Sequence, residues 1–446
     1  MEIAIALGWF MVFGVLVHYI PFFRGAGQLK SPVLLLFFAA KVLAGTVLIM
    51  VYTWYYPDPS TADVYKYFND GQILYSALAE SPADYFRMLT GIDASAPHLN
   101  SWYDQMKFWD RPWDSPLYND NRLVIRFNAF FMLFSLGSIW AHNVFINFLS
   151  FAGLVAMYRF VLRYSDPGKV GWIAPGLFLF PSLLFWGSGL LKEALLLWAF
   201  GFWMYHVDRI VKGMGQLWVQ WPAALLYSFI LILLKPYTMV FWVPLMIAFY
   251  FVKGRGVVRI NLGFFLATAL LLGAGLLFGR LHPTLDLLQL IVSKQKEFID
   301  FSLVQDAGSL IHERYLSPEF WSLAKEFWVG LLHTLTRPHL LEVYSAVTLL
   351  AALENTLIMG MIVYLMIRPD VASAGKYPVA WMSFWFVILL MGFVGMVSPA
   401  HGGLVRYKIP ALPFLWVFFV HMAKLPKDIS YFYGFIPFSM KKKPKP

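Results

Sequence analysis

Residues 32 to 54 read PVLLLFFAAKVLAGTVLIMVYTW, an apolar run long enough to cross the roughly 30 Å hydrocarbon core of a bilayer as a helix. Comparable runs cover residues 3–21, 143–161, 172–190, 193–208, 218–234, 237–252, 260–279, 344–367, 378–397 and 408–422. A stretch at 123–140 carries Arg122, Arg126 and Asn128 at its start, so it either spans or dips in and returns. Backbone in lipid must satisfy its own hydrogen bonds, which leaves helices and closed barrels. Period-two alternation is absent, so the runs predict an all-α integral membrane protein of about 11–12 transmembrane helices.

Composition agrees. The chain is 59% hydrophobic and 13% charged, and aromatic residues reach 19%, with Trp and Tyr near the run ends as in interfacial belts. The net charge of +10 sits in short loops and in the tail KKKPKP, which reads as orientation in the membrane rather than nucleic-acid binding. With no cysteine, thiolate catalysis, Cys metal sites and iron–sulfur clusters are excluded. The first run lacks a basic leader and a small-residue cleavage site and reads as a retained helix.

The basic groups Arg24 with Lys30, Arg159 with Arg163 and Lys169, Arg209 with Lys212, Lys253 with Arg255 and Arg259, Arg368 with Lys376, and Lys424 with the tail all fall on the cytoplasmic side if 123–140 does not cross. The amino terminus is then external, as are two long segments, 55–142 and 280–343. In the first, acids such as Asp58, Asp63, Asp70, Asp84, Asp110, Asp114 and Asp120 outnumber the bases Lys66, Arg87, Lys107, Arg111 and Arg122. Its stretch WYDQMKFWDRPWDSPLYNDN suits sugar stacking and interfacial anchoring. In the second, Leu285, Leu288, Ile291 and Phe298 predict an amphipathic helix lying on the membrane. There is no internal repeat, and one polytopic domain covers 1–446.

Candidate chemistry gathers beside the spans. In STADVYKYFNDG, Asp63, Tyr67 and Asp70 stand at i, i+4 and i+7 and share a helix face, while Gly71 either ends the run or permits close approach. In FPSLLFWGSGLLKEALLLWAF, Lys192 and Glu193 lie between two apolar runs with no room for a loop, so the chain turns tightly or the charges are buried. Pro181 bends that run and is expected to open the Ser188–Gly189 turn toward a cavity. Lys235, Arg337, His339, His401 and Arg406 are outward basic or imidazole groups at helix ends, against the charge rule, and a phosphate anion would explain them. Glu342 and Glu354 are further acids without an assigned role. Phosphate-loop, HExxH and GxSxG motifs are missing, as is metal-ligand spacing, so neither a metal nor another cofactor is expected.

An Asp just after a span in the first external loop, the Pro-Ser run leading to WGSGLLKE, and a late Arg-Tyr followed by KIPALPF together resemble the GT-C superfamily of polytopic glycosyltransferases. That resemblance implies a sugar donor carried on a polyprenyl phosphate, Asp63 as catalytic base, and Arg406, beside Tyr407, as a phosphate contact. The chain departs from the family pattern in having no second acid paired with Asp63 and in an amino-terminal topology shifted by one helix. Asp70 and Glu193 are secondary catalytic candidates. Tyr67, Lys192, Lys235, Arg337, His339, His401, Arg406 and Tyr407 are the candidates for substrate and lipid phosphate. The expected protein sits in a membrane, the bacterial inner membrane by this resemblance, with its site on the periplasmic face, and takes a glycan, lipid or protein acceptor. A polymerase or ligase of lipid-linked oligosaccharides would use the same apparatus. A lipid or solute transporter predicts repeats and mid-membrane charge instead.

Overall fold

The computed structural model describes residues 1–24, 29–55, 58–110, 118–252, 256–282, 286–304, 310–311, 314–371 and 373–426. The tail KKKPKP, Lys253, Arg255, Leu285, Arg111 and Asp114 lie outside them. Among the described residues there are helices and no strands, with only two isolated bridges, Leu310 to Ala400 and Pro369 to Ala423.

The protein is an all-α integral membrane protein. Eight helices among the described residues are long and apolar enough to span: Glu2–Tyr19, Ser31–Trp54, Ile139–Arg163, Leu217–Leu234, Val257–Leu281, Ala346–Ile367, Pro378–Val397 and His401–Met422. A bent pair, Gly171–Phe178 and Pro181–Ser188, makes nine if it counts as one span. Two further expected spans fall short for identifiable reasons. Pro236–Val252 is only 17 residues long, and Lys192–Val211 carries Lys192, Glu193, Asp208 and Arg209. The stretch expected at 123–140 is a 15-residue helix, Asn121–Ser135, closed by Leu136 and Gly137 with positive φ. At 1.5 Å per residue it reaches about 22 Å, short of a bilayer core.

The chain divides into two compact units, Met1–Met157 with Leu183–Pro236, and Tyr158–Ser182 with Tyr237 onward. In the first, a polar stripe runs through otherwise apolar packing. Asn143, Asn147 and Ser150 lie at i, i+4 and i+7 on the Ile139–Arg163 helix and are buried. Asn143 donates to the Val42 carbonyl (3.0 Å) and to Thr46 Oγ1 (3.1 Å). Asn147 donates to the Ser188 carbonyl (2.6 Å), and Ser150 to the Gly187 carbonyl (2.8 Å). The short 3-10 turn Trp186–Ser188 thus finds donors from side chains where lipid offers none. Gly45 makes this approach possible: a Cβ there would stand 2.1 Å from Asn143 Oδ1 and 2.3 Å from the Ser188 carbonyl oxygen.

Beyond Trp54, Asp58 caps a short turn by accepting from the Ser60 N–H (2.9 Å), and the Asp63–Glu80 helix follows. Its apolar residues Val64, Tyr67, Phe68, Leu74 and Ala77 are buried, the spacing of a helix with one covered face. Gly71 does not end the run. A Cβ at Gly71 would meet Asn128 Cβ at 2.7 Å, so the glycine admits the Asn121–Ser135 helix. Ser81 then caps the Pro82–Thr90 helix, with Pro at its first position and Gly91 (φ 81) at its end.

In the second unit, the expected surface helix exists as Leu287–Val304, but Leu288, Ile291 and Val292 pack against a buried cluster of Leu323, Met396 and Val397. Its apolar face is covered by protein, because the Phe320–Thr336 and Pro378–Val397 helices supply a partner. Those two helices approach closely: a Cβ on Gly395 would stand 1.9 Å from the Gly330 carbonyl oxygen. Glu354, buried at membrane depth, accepts from the Ser182 N–H (2.6 Å) and Oγ (2.9 Å) after the Pro181 break and pairs with the buried Lys408 at 3.4 Å. A helix start at the break and an intramembrane cation are satisfied by one carboxylate.

Candidate functional site

The first unit gathers most of the charged candidates at one end. Asp63 opens the Asp63–Glu80 helix, where a carboxylate is favoured by the helix dipole. Its side chain is 22% exposed and lies 3.6 Å from Lys66 Nζ. Lys66 is buried and sits 4.8 Å from the centroid of the Phe108 ring. One turn on from Asp63, the buried Tyr67 ring lies under Lys192, whose Nζ is 5.6 Å from its centroid. Lys192 also contacts Asp120 at 2.8 Å, and Lys235 approaches the other oxygen of Asp120 at 3.8 Å. Asp63 thus pairs with Lys66, and Asp120 pairs with both Lys192 and Lys235, while the Tyr67 ring of the Asp63 helix meets Lys192. The cations come from the Asp63–Glu80 helix, from the start of Lys192–Val211 and from the residue directly after Leu217–Leu234.

Asp70 shares the face of Asp63 but has a different task. It is 1% exposed and accepts from the backbone N–H groups of Lys107 (3.1 Å) and Phe108 (2.8 Å). Burial holds its carboxyl above the usual range despite those two hydrogen bonds, which act in the opposite sense. The side chain ties the long loop to the helix. Glu193 is 1% exposed in the first turn of its helix. The sequence offered either a tight turn or buried charge at Lys192–Glu193; both occur, since Leu191 is extended and the helix begins at Lys192.

The Ser188–Gly189 turn is packed shut rather than opened to a cavity. Ser188 is fully buried, and a Cβ on Gly189 would stand 2.3 Å from Leu48 Cδ2. What holds it was missed in the sequence: Lys41, in the middle of the Ser31–Trp54 span, is fully buried and donates to the carbonyls of Gly187 (2.8 Å) and Leu183 (3.3 Å) and to Ser188 Oγ (3.0 Å). A lone lysine inside an apolar run, together with Asn143, Asn147 and Ser150 at helical spacing in another, was the available signal. Asp120 was also missed as a site residue, being one acid among many in its loop.

The remaining candidates belong to the second unit. Arg337 Nε contacts Glu342 at 3.1 Å, and His339 Nε2 lies 3.5 Å from the same carboxylate oxygen. The Glu342 side chain also accepts from the His339 N–H at 3.1 Å. His401 is half-buried and within electrostatic reach of all three, with Nδ1 buried and, among the described residues, without a hydrogen-bond partner. The expected loop position of His401 is replaced by the first turn of a helix, His401–Tyr407. Arg406 is half-buried near the end of that helix, and Tyr407 packs edge-on to Phe298 at 5.2 Å. Arg337 and His339 thus act first as partners of Glu342, the acid left without a role by the sequence.

In the aromatic loop, Tyr103 and Trp109 stack on each other at 4.7 Å and are buried, and Trp113 lies outside the described residues. No protein-family model, curated protein or solved structure matches the chain.

Proposed function

We propose that this protein is a membrane glycosyltransferase that moves a sugar from a polyprenyl-phosphate-linked donor to an acceptor hydroxyl at the external face of the membrane, with inversion. The observation that carries the reading is the Asp63 carboxylate, partly exposed just beyond a span, on a helix whose Tyr67 ring meets Lys192, which shares the Asp120 carboxylate with Lys235. In the reaction the acceptor oxygen bonds to the anomeric carbon while its proton passes to Asp63. The bond from that carbon to the lipid phosphate breaks, and its electron pair leaves with the phosphate. Lys192 and Lys235 supply positive charge to the departing group, where stabilisation matters most. Attack opposite the phosphate inverts the anomeric centre. Because the donor carries its own leaving group, the chemistry requires no nucleotide site.

The donor can be found by mass spectrometry of the lipid-linked sugars that accumulate when the protein is deleted. With that donor and purified protein, Asp63→Asn should lower turnover by about 10²- to 10⁴-fold, the usual worth of a general base. Donor binding and thermal stability should stay near wild type. Near-normal turnover would remove Asp63 from the mechanism, and no lipid-linked sugar accumulating would remove the transferase reading.

A further inference from the structure

A second feature of the first unit is untouched by that reaction. A cavity of about 550 Å³, within the range of small-molecule sites, lies between the Pro82–Thr90 helix, the loops that follow it and the Leu217–Leu234 span. Two guanidinium groups line it. Arg126 Nε donates to the Met88 carbonyl (2.8 Å), and Arg122 Nε to the Trp109 carbonyl (2.8 Å). Both sit 5.1 Å from the centroid of the Trp109 ring, which is buried under Tyr103. The anchored Nε atoms and the ring fix both forks in place before any ligand arrives. Arg122 is paired with Asp110. Arg126, by contrast, has no carboxylate partner among the described residues; its contacts are the Met88 carbonyl, the Trp109 ring and Tyr118.

The charge of the lining therefore comes to about one positive unit, which suits a singly charged oxyanion better than a dianion. The other end of the cavity is apolar. Phe229 and Leu233 border it, and Phe229 is 59% exposed on a helix that also exposes Leu225, Leu226 and Ile232. These are residues of a membrane span, so the mouth continues into a lipid-facing surface. Ser95 and Asn100 add hydrogen-bonding groups beside the guanidinium pair.

We propose that this cavity binds the phosphodiester headgroup of an anionic membrane phospholipid, with Arg126 and Arg122 on the phosphate and the acyl chains along Phe229 and Leu233. The proposal is independent of the transferase reading, and its test needs no sugar donor. Purified full-length protein, delipidated in detergent, would be titrated with phosphatidylglycerol, phosphatidylcholine and inorganic phosphate, with bound lipid counted by native mass spectrometry. Phosphatidylglycerol should fill one site at least tenfold more tightly than phosphatidylcholine, and millimolar inorganic phosphate should compete weakly.

Arg126→Gln should weaken phosphatidylglycerol binding by about ten- to a hundredfold, the worth of one charge-assisted hydrogen bond. Since Arg126 also holds the Met88 carbonyl, a second variant protects the test from a folding defect: Ser95→Trp, on an exposed loop position, fills the cavity without altering its charge and should produce a similar loss. Equal binding of the two lipids would overturn the proposal, as would undiminished phosphatidylglycerol binding by Ser95→Trp. Inorganic phosphate binding as tightly as the lipid would overturn it too, by making this a free-anion site.

Discussion

Gly187 offers its carbonyl to two side-chain donors, Lys41 Nζ and Ser150 Oγ, each at 2.8 Å. That redundancy makes a quantitative prediction. Lys41→Met keeps most of the side-chain volume and removes the ammonium, while Ser150→Ala removes only a hydroxyl. After either change alone, the Gly187 oxygen retains one donor. Interhelical side-chain hydrogen bonds in membrane proteins are worth about 0.6 kcal/mol on average and up to about 1.7, so Ser150→Ala should cost about that much. Lys41→Met also strips the donor from Ser188 Oγ, against which stands relief from burying an ammonium with only neutral acceptors around it. A net loss of about 1–3 kcal/mol is expected. The double variant takes both side-chain donors from the Gly187 carbonyl, and a buried acceptor left without a partner costs about 1–3 kcal/mol. The two changes should therefore be non-additive, with the double variant worse than the sum by roughly 1 kcal/mol or more. Reversible unfolding in mixed micelles, followed by tryptophan fluorescence, gives all four free energies. A strictly additive cycle, or a Lys41→Met variant more stable than wild type, would refute the account of Lys41 as the donor that holds the turn.

Asp70 predicts a pH dependence. Its folded pKa is raised above the ordinary value of 3.8, so its contribution to stability is full below that value and lost as pH rises through the folded one. Wild type should accordingly lose stability relative to Asp70→Asn across that window, and a constant difference would show that Asp70 does not titrate there. Asp120→Asn leaves Lys192 and Lys235 without their shared carboxylate and should destabilise the unit while tightening donor binding about tenfold at low salt, an effect that binding measured at high ionic strength should diminish; weaker binding would make Asp120 a structural clamp. For orientation, the cysteine-free chain permits single probes. Ser95→Cys should react with an impermeant maleimide in intact cells and Met214→Cys only after lysis, while the opposite pattern would put the Asp63 end on the cytoplasmic side.

The spans were legible because a bilayer imposes a length and a composition, and both can be read from apolar runs such as 32–54. Less legible was where packing replaces lipid. Leu288 and Ile291 have the spacing of a helix on a membrane surface, yet the same face serves equally to meet Leu323 and Met396; an amphipathic pattern states that one side is covered and not by what. Asp63, Tyr67 and Asp70 were correctly placed on one helical face, but spacing could not distinguish a carboxylate facing a site from one consumed by the N–H groups of Lys107 and Phe108. Those donors lie 37 and 38 residues away along the chain. Lys41, Asp120 and Arg126 share this difficulty, since each gains its meaning from a distant partner rather than from its neighbours in sequence.

Asp120 also bears on how Lys192 and Lys235 can be kept together. Lys192 and Lys235 are both mostly shielded from water, with side chains 12% and 8% exposed, and two such cations without a counter-charge would repel each other at considerable cost. A carboxylate in contact with both lowers that cost. Asp63 and Lys66 form the neighbouring pair, close to neutral as a unit. The Tyr67 ring, one turn on from Asp63, meets Lys192. The proposed transfer from lipid phosphate requires a base and a cationic site for the departing phosphate, and Asp63 and the Lys192 and Lys235 pair are the groups put forward for these two tasks.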